Sequence, residues 1–183
     1  MFFSFARKVT KSFLNKLLVI CQLIMLTGCM NVSIQSNVKP DDKPEFKRIL
    51  VVSNLQHMVP TYLARFQTAF PSGYQVCTVS NSSIDFDNPE EAIDKKRQAC
   101  QSEVSLSIDF NRNYTSGYGK YITSNNELLL VMTNLATNKP FWKAIVTTGG
   151  LNEVPPREIV QQLIKDGIIV GAVPLEKSYQ SDY

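Results

Sequence analysis

Apolar and polar residues follow each other along this chain in two rhythms, and each rhythm predicts a different element. Arg48-Ile-Leu-Val-Val-Ser53 is a short continuous run rich in β-branched residues, which predicts a buried strand. From about Met58 to Phe70 the spacing becomes helical. Leu63, Phe66 and Phe70 recur at i, i+3 and i+7, Val59 and Tyr62 adjoin them, and Pro60 fits the first turn. Pro71-Ser72-Gly73 stops this helix. Tyr74–Ser80 predicts a second strand, and polar residues 81–88 a loop. Pro89, Glu90 and Glu91 open a second helix that runs to about Cys100. Its surface is polar, and only Ala92, Ile93, Ala99 and Cys100 are available for burial. Glu103–Phe110 has the clearest period of two. Val104, Leu106, Ile108 and Phe110 point one way, and Ser105, Ser107 and Asp109 the other. Strand, helix, strand, helix, strand favours parallel neighbours joined by right-handed crossovers.

The second half changes character. Residues 111–126 are rich in Asn, Thr, Ser, Gly and Tyr, and read either as a long exposed hairpin loop or as ragged strand ends. Glu127–Thr133 is apolar on both faces, as a central strand is. A turn at Ala136–Lys139 and a strand at Phe141–Thr148 complete a hairpin, which Gly149-Gly150 ends. Pro155–Lys165 predicts a final helix with Ile159, Val160, Leu163 and Ile164 on one face, ended by Gly167 or Gly171. The expected fold is α/β (α+β): a βαβαβ unit, then an antiparallel hairpin and a C-terminal helix, in a single mixed sheet packed by helices. The globular domain is expected over 47–171. A polar stretch at 29–46 reads as a flexible tether, with a first strand at Val32–Ile34 as the alternative, and 172–183 reads as a loose tail.

The N-terminus has its own pattern. Residues 1–16 carry Arg7, Lys8, Lys11 and Lys16 and no acid, and Leu17–Leu26 is an uncharged, mostly apolar run. Small residues follow, which is the layout of a secretory signal. A helix of that length rises about 15 Å, roughly half a hydrocarbon core, so a stable transmembrane anchor is the weaker reading. Leu26-Thr27-Gly28-Cys29 resembles the lipobox of bacterial lipoproteins. The resemblance implies removal of residues 1–28, a diacylglyceryl thioether on Cys29, and acylation of the new amine by a palmitate-type chain. Each buried CH₂ then contributes about 0.8 kcal/mol to membrane attachment. Met30, rather than Asp, follows the cysteine. By resemblance to the enterobacterial sorting pattern this implies the outer membrane, with the domain facing the periplasm.

Removal of the signal changes the charge. The whole chain carries 19 Lys and Arg against 16 Asp and Glu, a net of +3. Four of the basic residues and none of the acids lie in 1–28, which leaves 15 against 16, a net of −1 over 155 residues. A basic surface for nucleic acid is therefore not supported. Cys21 leaves with the signal and Cys29 takes the lipid, so Cys77 and Cys100 remain as one pair in a chain bound for an oxidising compartment. A disulfide between them is expected, with two separate buried thiols as the alternative.

The stretch from Leu128 to about Ile164 resembles a group of small, largely uncharacterised envelope lipoproteins. Their pattern is an apolar strand, a Thr-x-Lys-Pro-x-Trp turn, a strand and an amphipathic helix. It stands here as Thr137-Asn-Lys139-Pro140-Phe-Trp142, with Asn138 where the group usually has glycine. The resemblance implies a mixed sheet anchored in the envelope and carries no catalytic residues.

Little else points to chemistry. The chain has no phosphate-binding Gly-rich loop and no Gly-x-Ser-x-Gly elbow. His57 is the one histidine, and a surface position at the start of a helix is its ordinary reading. Asp85 and Asp87 lack the further oxygen ligands of a calcium loop, and neither a metal nor a cofactor is expected. Tyr114, Tyr118 and Tyr121 form the best candidate contact surface, because tyrosine combines apolar area with a hydroxyl at low entropic cost. The expected function is a lipid-anchored envelope lipoprotein whose non-catalytic domain binds another envelope component, with the membrane and an envelope protein as partners. The alternatives are a periplasmic hydrolase using His57 and Asp109, and a small-molecule carrier with an enclosed apolar pocket.

Overall fold

A computed structural model describes residues 32–55, 60–81, 88–118, 121–149 and 153–175. In chain order its elements are β1 (Val32–Val38), a 3-10 turn (Pro40–Asp42), β2 (Arg48–Ser53), α1 (Pro60–Ala69), β3 (Gln75–Ser80), α2 (Pro89–Ala99), β4 (Val104–Tyr118), β5 (Tyr121–Asn134), β6 (Lys139–Gly149) and α3 (Pro156–Lys165). The strands form one mixed sheet in the order β1-β6-β5-β4-β2-β3. β2 runs parallel to β3 and β4, and every other neighbouring pair is antiparallel. The fold is the expected mixed α/β architecture with one further strand, β1, at its edge.

The two parallel crossovers, β2 to β3 and β3 to β4, run across the sheet in opposite directions, so their helices fall on opposite faces. The alternation along β2 reflects this. Ile49 and Val51 join the core beneath α1 and α3, while Leu50 and Val52 are buried on the other face. Cys77 stands opposite Leu50 in the ladder and is bonded to Cys100 at the end of α2, which puts α2 on that second face. The disulfide matters here because α2 buries none of its own residues. Asn88 caps its start by accepting a hydrogen bond from the Glu90 N–H, and the cystine ties its end to β3.

The main core lies on the α1 and α3 side. Val104, Leu106 and Ile108 of β4, Leu128, Leu130 and Met132 of β5, and Ala144 and Val146 of β6 pack against Phe66, Ile159, Val160 and Leu163. Trp142 is fully buried among them, and its indole N–H donates to Asp166 Oδ2 at 2.7 Å. Asp166 is the residue that ends α3. Gly167 follows with φ of 67°. Its N–H donates to the Ile164 carbonyl, and the Ile168 N–H to that of Leu163, which is a Schellman end. Gln162 joins the arrangement, donating to Asp166 Oδ1 at 2.9 Å and to Ser36 Oγ of β1 at 3.0 Å.

Four expectations change. First, 32–38 is not tether. Val32, Ile34, Ser36 and Val38 are half-buried and Ser33, Gln35 and Asn37 exposed, and the strand pairs with β6 along its whole length. Val32, Ile34 and Val38 on one face, with Ser36 between the last two, are enough to hold an edge strand once a neighbour supplies the ladder. Phe46, also within the expected tether, is buried in the core. Second, the chain stays attached beyond 171: Val173 packs against the core and Pro174 accepts a hydrogen bond from Arg157. Third, residues 111–118 and 121–126 belong to two paired strands and not to a loop or ragged ends, with pairing as far as Tyr118 with Tyr121. Fourth, Phe110 shares the inward alternation of β4 yet is 55% exposed, where the register shifts at the edge of the core.

The structure gives two stability expectations. Asp166→Ala leaves a buried indole N–H without its charged acceptor, and urea unfolding should show a loss of about 1.5–3 kcal/mol. Reduction of Cys77–Cys100, which closes a loop of 23 residues, should cost roughly 3 kcal/mol. Hydrogen exchange in the reduced protein should rise first in α2; uniform exchange across the sheet would contradict the role given to the cystine.

Candidate functional site

The β4–β5 hairpin outgrows the sheet. β2 pairs with β4 only as far as Ile108, and β6 pairs with β5 only from Asn125 onward. Beyond those limits, among the described residues, the two strands pair only with each other, as a ribbon from Arg112 to Tyr118 and back from Tyr121 to Ser124. An isolated two-stranded ribbon is marginal in water. Its base must therefore be held.

Glu127 provides that hold. It heads the apolar run of β5, is 5% exposed, and sits opposite Arg112 in the ladder. Its carboxylate accepts from Arg112 Nε at 3.1 Å and Nη2 at 3.0 Å, and from Asn111 Nδ2 at 2.5 Å. Asn111 is the extra residue where the β4–β5 register shifts. One buried carboxylate thus ties down both the bulge and the residue after it. The hydrogen bonds from Arg112, with that from Asn111 adding to them, hold the Glu127 carboxyl below the usual carboxylate range against the opposing effect of desolvation. Higher up, Asn113 donates to Asn126 Oδ1 at 2.6 Å and to Ser124 Oγ at 3.2 Å, and Asn125 donates to Ser116 Oγ at 2.6 Å. The amide and hydroxyl groups that read as loop composition are cross-strand rungs.

Of the expected contact residues, Tyr114 is half-buried, with the Arg112 guanidinium 5.4 Å from its ring centroid. Tyr118 and Tyr121 pair with each other at the ribbon's end, and their side chains lie outside the described residues. So do Cys29, His57, Asp85 and Asp87. Cys77 and Cys100 are joined as expected.

Asp109 belongs to a second polar group, where β2 and β3 end beside β4. Asn54 Nδ2 donates to Asp109 Oδ1 at 2.5 Å, and Asn81 Nδ2 donates to Asn54 Oδ1 at 3.0 Å. The backbone N–H groups of Asn54 and Asn81 donate to the carbonyls of Ile108 and Ser53. This chain of amides spans the carboxyl ends of β2 and β3 and the point where β4 runs on past them, a region where ligands bind in many open α/β sheets. Here the amides and the carboxylate bond to one another. Among the described residues, no group of three or more His, Cys, Asp or Glu is placed to hold a metal ion, and no helix is long and apolar enough to cross a membrane.

Sequence reasoning passed over Glu127 and Asn54. The signal for Glu127 was a single acid at the head of an apolar run, with Arg112 at the matching distance across a hairpin. Asn54 gave no signal, because its partners come from strands 27 and 55 residues away.

A pH dependence follows from Glu127. Its carboxyl has an ordinary value of 4.5 and a lower one in the folded chain. Its contribution is therefore fully present above about pH 4.5 and is lost as pH falls through the folded value. Amide exchange at 112–118 and 121–127 should accelerate on acidification before exchange in the core does. Glu127→Gln should accelerate it at neutral pH and remove most of that acid dependence. An unchanged pH profile in the variant would refute the role.

No family model matches the chain, and no curated protein matches its sequence. Among solved structures it is similar to a PelC dodecamer protein from Paraburkholderia phytofirmans, at a TM-score of 0.41 and 12% identity, over 74% of this chain and 94% of that one. A second is lipoprotein GNA1162 from Neisseria meningitidis, at 0.35 and 18%, over 67% and 95%. A third is protein XCC0632 of the DUF330 family from Xanthomonas campestris, at 0.30 and 10%, over 72% and 90%. These likenesses are loose in geometry and remote in sequence, and they assign neither an activity nor a partner.

Proposed function

We propose that this chain is a lipoprotein of the bacterial cell envelope, attached to a membrane by acyl chains on Cys29, whose domain binds another envelope protein and performs no catalysis. The observation that carries the reading is the sequence Leu26-Thr27-Gly28-Cys29 at the end of a basic and then apolar leader. Two features support it. Cys77 and Cys100 form a disulfide, which suits an oxidising compartment. The first described strand begins at Val32, three residues after Cys29. Met30 after the cysteine favours the outer membrane, with the domain in the periplasm. The protein partner is expected to meet the flank of the β4–β5 ribbon around Tyr114, where a half-buried aromatic ring lies beside an exposed guanidinium.

Mass measurement of the processed N-terminus should show a chain that begins at acylated Cys29, and Cys29→Ser should leave the membrane fraction without its lipid. An unmodified Cys29 on the processed chain rules out the anchor. A photo-crosslinker at Tyr114 in living cells should yield one dominant adduct with an envelope protein. Its absence, with the lipid in place, counts against the binding role alone.

A further inference from the structure

We propose that the β4–β5 ribbon makes a second membrane contact through Ile122, which inserts into the headgroup region of the leaflet that holds the lipid on Cys29. The inference rests on the lipoprotein reading and adds a site to it.

The register carries the argument. β1 and β5 run in the same direction, because each is antiparallel to β6 between them. Val32 stands opposite Thr148, and Thr148 opposite Asn126, so the start of β1 is level with Asn126. The chain therefore enters β1 at the end of the sheet from which the ribbon projects. Three residue steps separate Cys29 from Val32, a reach of at most about 11 Å. Tyr121 lies five residues beyond Asn126 along β5, which at strand rise is about 17 Å. A lipid on Cys29 thus brings the membrane surface within the length of the ribbon. A long tether would have left this open, but β1 removes the tether.

The ribbon's chemistry suits the headgroup region. Ile122 is 76% exposed, and an aliphatic side chain standing free in water at a strand tip has no role in the core. Arg112, at the base, has its charge matched by Glu127. From 113 to 126 the sequence has no acid, and its one basic residue is Lys120. The cross-strand hydrogen bonds satisfy the amide side chains of Asn113 and Asn125, which lowers the cost of bringing the ribbon to a surface. At the opposite end of the sheet, the β5–β6 turn at Thr137 and Asn138 is exposed and polar, and it offers a matched control.

The test uses the mature lipidated protein in vesicles of phosphatidylethanolamine and phosphatidylglycerol. An environment-sensitive fluorophore is attached through Ile122→Cys or, as control, Thr137→Cys. At 122 the emission should shift to the blue and lose most of its intensity to spin-labelled lipids; at 137 neither should occur. Flotation with the vesicles reports the Cys29 anchor separately. Floating protein whose 122 probe behaves like the 137 probe overturns the proposal and leaves the anchor standing. A blue shift at 122 that appears only with an added envelope extract, and resists quenching by the lipids, overturns it in favour of a protein contact. Protein that does not float overturns both readings. In a second arm, vesicles should slow amide exchange at 112–118 and 121–124 severalfold in the native chain but not in Ile122→Asp. That variant folds as the native chain does because residue 122 lies outside the core.

Discussion

A buried tryptophan needs an acceptor for its indole N–H, and much of this fold is arranged around the answer given to Trp142. The ring fills the core under β6, where no water reaches it, and an unpaired donor there costs about 1–3 kcal/mol. Asp166 meets the need from the end of α3. That contact fixes where α3 stops, and Gly167 then turns the chain away through a left-handed residue. The same helix end presents Gln162, which bonds to both Asp166 and Ser36. A side chain in β6 thereby determines how the last helix is seated, and the last helix helps hold the first strand.

The two faces of the sheet are secured by different means. On one face α1 and α3 bury an extensive apolar layer, so packing alone holds them. On the other, α2 has no buried residue, and a covalent link to β3 does what packing does not. The ribbon is a third case. Among the described residues no helix covers it and no further strand pairs with it, and its integrity depends on cross-strand polar bonds and on the Glu127–Arg112 pair at its root. Such a ribbon retains its shape while exposing both edges, a costly arrangement for a soluble surface and a natural one for an element that meets another surface.

Placement of β1 changes the meaning of the anchor. An 18-residue tether from Cys29 to Phe46 would let the domain sample a wide range of heights and orientations. With β1 in the sheet, only three residue steps separate Cys29 from the first strand. Under the proposed anchor, the domain is held close to the bilayer with the end that carries the ribbon toward it.

Most of the secondary structure was legible because each element buries one face, and burial imposes period two or 3.6 on the sequence. β2, β3, β4 through Phe110, the β5–β6 hairpin, all three helices and the Cys77–Cys100 pair were expected from residue spacing and cysteine count. β1 was less visible, since an edge strand needs only alternate weakly apolar positions and takes its definition from its neighbour. The ribbon was equally hard to read, because Asn, Ser and Thr favour turns in isolation and become ladder rungs only when a partner strand supplies their acceptors. Asn54 and Glu127 could be assigned only once distant strands were brought side by side. By itself the sequence determined which segments are strand or helix, the pairing of Cys77 with Cys100, and the likeness of Leu26–Cys29 to a lipobox. The tertiary structure alone decided that Val32–Val38 joins the sheet and at which end of the sheet that strand starts, because strand order and register depend on contacts between residues far apart in the chain.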